Sequence, residues 1–166
     1  MFFAKAIKEI LNILQTDISP NQVAAGACLG IFLGLVPGLL MKCIIFFFIM
    51  ILRVNVGSAL LAGGIFAVIG FFTDPLSDKI GFLILNAGFL VPLWTSLFNM
   101  ALVPFTKFNN TVVMGNMAIS AVLIIPAFIF SKKFILYYRE HWREKVAKWK
   151  IIKLLTAGNL SYKILK

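Results

Sequence analysis

Charge is scarce in this chain: the first 130 residues hold six basic and four acidic groups, set among long apolar runs. A water-soluble domain is about 45–50% apolar and about 25% charged. Here 61% of residues are apolar, 13% are charged, and mean hydropathy is +0.97. Most of such a surface is matched to lipid rather than water. In lipid every backbone polar group must be satisfied internally. The expectation is therefore an all-α integral membrane protein, and 166 residues leave room for one domain.

The net charge of +10 is concentrated at the end of the chain. From Ser131 onward ten Lys/Arg stand against only Glu140 and Glu144. A basic patch can mark nucleic acid, but beside an apolar span the simpler cause is retention in the cytoplasm and attraction to anionic headgroups. Lys132, Lys133, Arg139 and Arg143 are the expected contacts to anionic lipid, and nucleic acid is not an expected partner. The N-terminal stretch is interrupted by Lys5, Lys8 and Glu9, so it does not read as a cleavable signal peptide.

Punctuation divides the chain into three. Residues 1–18 contain an amphipathic stretch at 2–16, with Phe3, Ile7, Ile10, Leu11 and Leu14 at helical spacing. It fits a helix lying in the headgroup layer or packing on the remainder. Residues 19–131 form the expected membrane domain. Residues 132–166 are a basic tail whose 132–155 segment reads as a helix with an aromatic and apolar stripe through Ile135, Tyr138, Trp142, Val146 and Trp149.

Within the membrane domain, Ser19-Pro20 reads as an N-cap followed by Pro at N1. The short apolar helix that follows stops at Val36-Pro37-Gly38, and a second ends at Arg53-Val54-Asn55. At 1.5 Å per residue these pieces of about 15–17 residues fall short of a core about 30 Å thick. A full-length span follows over 54–72. Asp74-Pro75 then reads as a new helix start, with Asp74 as N-cap, Pro92 as a second break, and a last span ending at Ser131.

This order suggests a repeat. Ser19 and Asp74, Gly26 and Gly81, Pro37 and Pro92, and Asn55 and Asn110 are each 55 residues apart. The expected architecture is two inverted repeats, 19–72 and 73–131, each a proline-broken helical hairpin plus one transmembrane helix. Irregular backbone at membrane depth must be buried in protein or line a cavity, as in transporters with broken helices. The alternative has all six pieces spanning a thinned bilayer. Both give an even number of crossings, and the basic tail places both termini in the cytoplasm.

Few polar residues interrupt the apolar runs. Gly26, Gly30 and Gly34 give one helix a face without side chains, suited to close helix packing or to a tight hairpin at Pro37-Gly38. Lys42 is the one charge inside an apolar helix; it either faces an anionic headgroup or snorkels to an interface. Arg53, Asn55, Asn86, Asn99, Asn109 and Asn110 are candidates for lipid or substrate contact, with helix capping as the other role for the Asn residues. No catalytic constellation, metal cluster or phosphate-binding loop can be assembled from the sequence, and no cofactor is expected. Cys28, Cys43 and His141 read as structural or solvated groups.

Ser19-Pro20, Ala24, Gly26, Gly30, Phe32, Gly34 and Pro37, then Arg53-Val54-Asn55 and Asp74-Pro75-Leu76, resemble a bacterial membrane-protein family known only as a domain of unknown function. Leu93–Asn99 (LWTSLFN), Lys107–Thr111 (KFNNT) and Tyr138–Lys153 resemble one subfamily, and the likeness runs from about residue 1 to 160. The family often places Gly-Gln after the hairpin proline, whereas here Gly38 is followed by Leu39. The resemblance carries no activity. It implies, through neighbouring genes of the subfamily, a large bridge-like (AsmA/TamB-like) envelope lipid-transfer protein as partner, and membrane phospholipids as ligands. The leading expectation is a non-enzymatic inner-membrane protein in envelope phospholipid transport. The alternatives are a small-solute or ion transporter on the same plan, and a structural membrane anchor or assembly factor.

Overall fold

A computed structural model describes residues 18–141, and among these it is helical with no strand. The expected 2–16 helix, Arg143 and most of the 132–155 segment lie outside the described residues. Five α-helices are present: α1 (Pro20–Leu35), α2 (Leu39–Ile51), α3 (Val56–Leu85), α4 (Val91–Phe98) and α5 (Thr111–His141). Short 3-10 turns occupy Gly88–Leu90 and Val103–Thr106.

The first hairpin forms where the sequence places it. Pro20 opens α1 from the first turn, and the Ser19 carbonyl accepts from the Gln22 and Val23 amides. The Ser19 hydroxyl makes no cap bond, which corrects its expected role; proline at N1 and the Ser19 carbonyl start this helix instead. At the tip Gly38 has φ +106°, a conformation that carries strain for any residue with a Cβ. α2 then returns to the level at which α1 began.

Glycines set the direction of the packing. Gly26 lies against Asn55 and Ser58, Gly30 against Ala59, Ala62 and Gly63, and Gly34 against Gly63 and Ala67. The contacts advance together along the two helices, so α1 and α3 run parallel. Beyond the hairpin, Gly81 backs onto the Thr111 carbonyl and Gly115 onto the Ser77 carbonyl. Here the order is reversed, so α5 runs antiparallel to α3. A Cβ at any of Gly26, Gly30, Gly81 or Gly115 would collide with backbone of the neighbouring helix or, at Gly26, with the Ser58 hydroxyl as well.

α1, α3 and α5 form the mutually packed core, with α2 on its flank. Val23 and Ile135 pack with Ile18, Leu61 and Tyr138 at the end where α1 and α3 begin. Ile45, Ile49 and Ala59 pack with Leu29, Phe32, Leu33 and Met41 beneath the hairpin. Around this core stands an almost continuous apolar exterior, including Phe47, Val68, Phe71, Phe72, Leu83, Val122 and Phe130.

The two halves of the chain differ in form. Asp74 does not cap a helix, because α3 runs without interruption from Val56 to Leu85 with Pro75 inside it. The expected boundary at 72/73 therefore falls within a helix. Pro75 removes one backbone donor, but the Thr73 hydroxyl bonds the Gly70 carbonyl and the Ser77 hydroxyl bonds the Thr73 carbonyl around that turn. Packing of α5 along the same stretch holds the helix together across it. Pro92 is not a hairpin break either: it sits in the first turn of α4, where a missing N–H costs nothing. α3 stops earlier, at Leu85, with the Asn86 side chain donating to the Phe82 carbonyl at 2.9 Å. The last span and the start of the tail are likewise one helix, α5, with Pro126 inside it, so no break separates 131 from 132.

Candidate functional site

The polar candidates fall into three places. The first is the outer face of the hairpin. Lys42 lies one turn into α2 and heads an open groove of about 480 Å³ lined by Leu33, Cys43, Phe46, Phe47 and Met50. Residues 42, 46 and 50 share one line along the helix, with 43 and 47 beside it, so the groove runs down α2 with almost wholly apolar walls, to which Lys42 contributes its aliphatic stem. Both Lys42 and Cys43 are exposed. Arg53 stands at the other end of α2, in the turn before α3, and does not join this groove.

The second place is the segment that crosses from α3 to α5. Leu85, Trp94, Thr95, Phe98, Asn99, Phe108 and Asn109 surround a pocket of about 310 Å³. Phe108 is buried between the rings of Trp94 and Phe98, at centroid distances of 6.2 and 6.5 Å. The Trp94 indole donates to the Ile84 carbonyl at 3.3 Å, which ties α4 back onto the end of α3. Asn99 and Asn109, expected as separate contacts, are thus brought to one rim. Lys107, just before this cluster, takes a left-handed backbone with φ 59°.

Asn55 and Asn110 serve the backbone. The Asn55 side chain accepts from the Ser58 amide at 2.7 Å, capping α3. Its own amide donates to the Gln22 carbonyl at 3.1 Å, and the Ser58 hydroxyl reaches the Val23 carbonyl at 3.0 Å. These bonds fasten the start of α3 to the start of α1. Asn110 likewise accepts from the Val113 amide at 3.1 Å at the start of α5. The two residues 55 apart thus have the same role. Asn86 is taken up by its own helix end, as described above.

The third place was not anticipated from the sequence. Asn116, on α5, is fully buried. Its side-chain nitrogen donates to the Asp74 carboxylate at 3.1 Å, and its oxygen accepts from the Ser77 hydroxyl at 2.8 Å. One turn toward the end of α3, the Asp78 carboxylate accepts from the Thr111 hydroxyl. Ser120, one turn beyond Asn116 on α5, is also fully buried, and its hydroxyl has no hydrogen-bond partner among the described residues. The available signal was Asn116 itself, a carboxamide inside an apolar run that is too far from either end to be a cap. Close approach of α3 and α5 through Gly81 and Gly115 lets these short side chains meet.

Lys132 and Lys133 lie on α5 at the end where α1 and α3 begin, with Lys133 exposed. Arg139 follows two turns on.

Two of the helices, α3 and α5, are long and apolar enough to cross a membrane. Among the described residues no group of three or more His, Cys, Asp and Glu side chains is placed to hold a metal ion. The class defined by these features is an all-helical protein with an apolar exterior and sparse internal polar groups. The chain belongs to the family DUF2062, described as an uncharacterized protein conserved in bacteria, which it matches over residues 5–144. The family resemblance carried by the sequence motifs is therefore borne out. The chain is 24% identical over 143 residues to an uncharacterized protein of Treponema pallidum (strain Nichols), a match covering 86% of this chain and 88% of that one. No solved structure matches it.

Proposed function

We propose that this chain is a non-enzymatic, multi-pass protein of the bacterial inner membrane that moves phospholipid between leaflets or loads it into a large bridge-like envelope partner. The observation that carries the reading is the groove headed by Lys42. The walls are apolar and fit acyl chains, and Lys42, exposed at one end of the groove, carries an ammonium that can reach a phosphate there. An apolar groove open to a bilayer is filled by lipid tails, and a cation at its head favours the anionic phosphate.

Dimensions support the same reading. α1 and α2 have 16 and 13 residues, so they reach about 24 and 20 Å, against about 45 Å for the 30-residue α3. A hairpin shorter than its neighbours enters the bilayer without crossing it, and leaves a depression where a headgroup meets less hydrocarbon. α3 and α5 then supply the two crossings. Their shared end, with Arg53, Lys132, Lys133 and Arg139, lies in the cytoplasm, and both termini with it. Asn55 and Asn110 are the equivalent caps of an underlying two-part plan.

The test uses purified full-length protein in liposomes carrying a headgroup-labelled fluorescent phospholipid and an impermeant quencher. Quenching of the inner-leaflet label faster than in protein-free vesicles is expected, with Lys42→Gln slowing it. A rate equal to that of protein-free vesicles, with the protein shown to be folded and inserted, overturns the reading.

A further inference from the structure

The pocket on the segment between α3 and α5 has a chemistry that the hairpin groove lacks. We infer that Trp94, Phe98, Asn99, Phe108 and Asn109 form a binding site for the headgroup of a zwitterionic, amine-bearing phospholipid of the phosphatidylethanolamine class, its ammonium among the rings and its phosphate toward Lys107. The inference rests on the membrane placement proposed above, which sets the far end of α3 at the outer surface, and not on movement of lipid.

Local bonds hold the walls in place. The Trp94 indole N–H is spent on the Ile84 carbonyl, so the ring is fixed and acts through its π surface. Phe108 and Asn109 are the central residues of a turn closed by the Asn110 amide on the Lys107 carbonyl at 2.9 Å. That turn sets the Phe108 ring against Trp94 and Phe98. Three rings and two carboxamides thereby line one pocket of about 310 Å³.

The two carboxamides differ from their neighbours in being unspent. Asn86 and Asn110 are bonded to helix ends, and Asn116 joins α3 to α5. Asn99 and Asn109 are exposed, and their side chains make no hydrogen bond among the described residues. Each keeps an acceptor oxygen and an NH₂ donor for a ligand.

Charge narrows the ligand. The carboxylates of the described residues are Asp74, Asp78 and Glu140, and none lines the pocket. Ring faces and carboxamide oxygens attract an ammonium. A bare cation would find no counter-ion there, and Lys107, exposed and directly before Phe108 in the chain, opposes it. A bare anion suits Lys107 but not the negative faces of the rings. A ligand that carries an ammonium and a phosphate a few bonds apart meets both conditions. The same segment exposes Phe89, Met100, Leu102 and Phe105, apolar surface that matches acyl chains, so the source is a membrane lipid rather than a soluble phosphoamine.

The test is native mass spectrometry of purified full-length protein titrated with phosphatidylethanolamine, phosphatidylglycerol or glucosyl diacylglycerol of identical chains. Asn99→Ala combined with Asn109→Ala removes only exposed side chains without protein partners, so the unfolding midpoint is expected to hold. The double change is expected to weaken phosphatidylethanolamine about tenfold and to leave phosphatidylglycerol, drawn to the basic segments, within twofold. Phe98→Ala and Lys107→Gln, each altering a different part of the site, are expected to weaken phosphatidylethanolamine severalfold, while Lys42→Gln leaves its affinity unchanged. Phosphatidylethanolamine binding indifferent to the double change and to Phe98→Ala overturns the inference. So does an equal loss for phosphatidylglycerol, which marks a general lipid surface, or a larger loss for the glucosyl lipid, which marks a sugar site. Because binding is read directly, absence of lipid movement in liposomes leaves the inference standing.

Discussion

Asn116 donates to Asp74 at 3.1 Å across 42 residues of chain, and it is the side chain that joins the two longest helices by polar contact at both of its ends. Removing it leaves the Asp74 carboxylate without its side-chain donor and the Ser77 hydroxyl with the Thr73 carbonyl alone. Asn116→Ala is expected to destabilise the fold by about 1–2 kcal/mol, since interhelical hydrogen bonds in apolar surroundings are modest but their orphaned partners add a desolvation term. Asn116→Asp is expected to be worse, because it sets a second carboxylate against Asp74. Denaturant or detergent-mixture unfolding of the variants measures both, and wild-type stability in Asn116→Ala would show that helix packing alone holds the seam.

Glycine substitutions separate packing from helix propensity. A Cβ at Gly81 collides with the Thr111 carbonyl, whereas one at Gly64 meets nothing within 4 Å. Gly81→Ala is expected to cost about 1–3 kcal/mol through forced separation of α3 and α5. Gly64→Ala is expected to stabilise by about 0.5–1 kcal/mol, as alanine is the better helix former. Opposite signs in the same unfolding assay are the expected outcome.

Capping gives a graded pair. Asn110→Ala removes one cap bond at an exposed helix start, for an expected loss of about 1 kcal/mol. Asn55→Ala is expected to cost more, about 2 kcal/mol, because Asn55 is half-buried and Ser58 is buried, so water replaces the lost cap bond less readily than at exposed Asn110; the backbone bonds of Asn55 to Gln22 and to the Ser58 hydroxyl survive the change. A larger effect at Asn110 than at Asn55 in the unfolding assay would contradict this ranking.

Local signals made the first half legible. Pro20 as a helix start and Pro37-Gly38 as a turn act within a few residues and stand where the sequence places them, and the Gly26-Gly30-Gly34 stripe is legible as a bare helix face even though it acts against α3. The second half depends on what packs against it. Asp74-Pro75 and Pro92 have the local chemistry of helix starts, and Pro92 acts as one. Asp74-Pro75 does not, because α5 lies along that stretch of α3 and the Thr73 and Ser77 hydroxyls satisfy carbonyls near the proline. The same tertiary dependence hid the seam. Ser77 is 39 residues from Asn116 on another helix, and no spacing rule relates the two until the helices are placed side by side.

The hairpin tip offers a last test, of depth. Gly70 lies against Leu35, so α1 ends level with the middle of α3, and α3 continues for 15 residues, or about 22 Å, beyond that point. Pro92 belongs to the segment past the far end of α3 and is exposed. In a protein with Cys28 and Cys43 replaced, single cysteines at positions 37 and 92 should therefore differ toward an impermeant maleimide. Position 92 is expected to label from the outer side of oriented membranes, and position 37 to label poorly from either side because it lies at the depth of the α3 midpoint. Rapid outer labelling at 37 would mean that the bilayer thins until α1 and α2 cross it fully. The groove below Lys42 would then open toward the outer leaflet, and the Lys42 ammonium would meet headgroups there without any lipid being drawn inward.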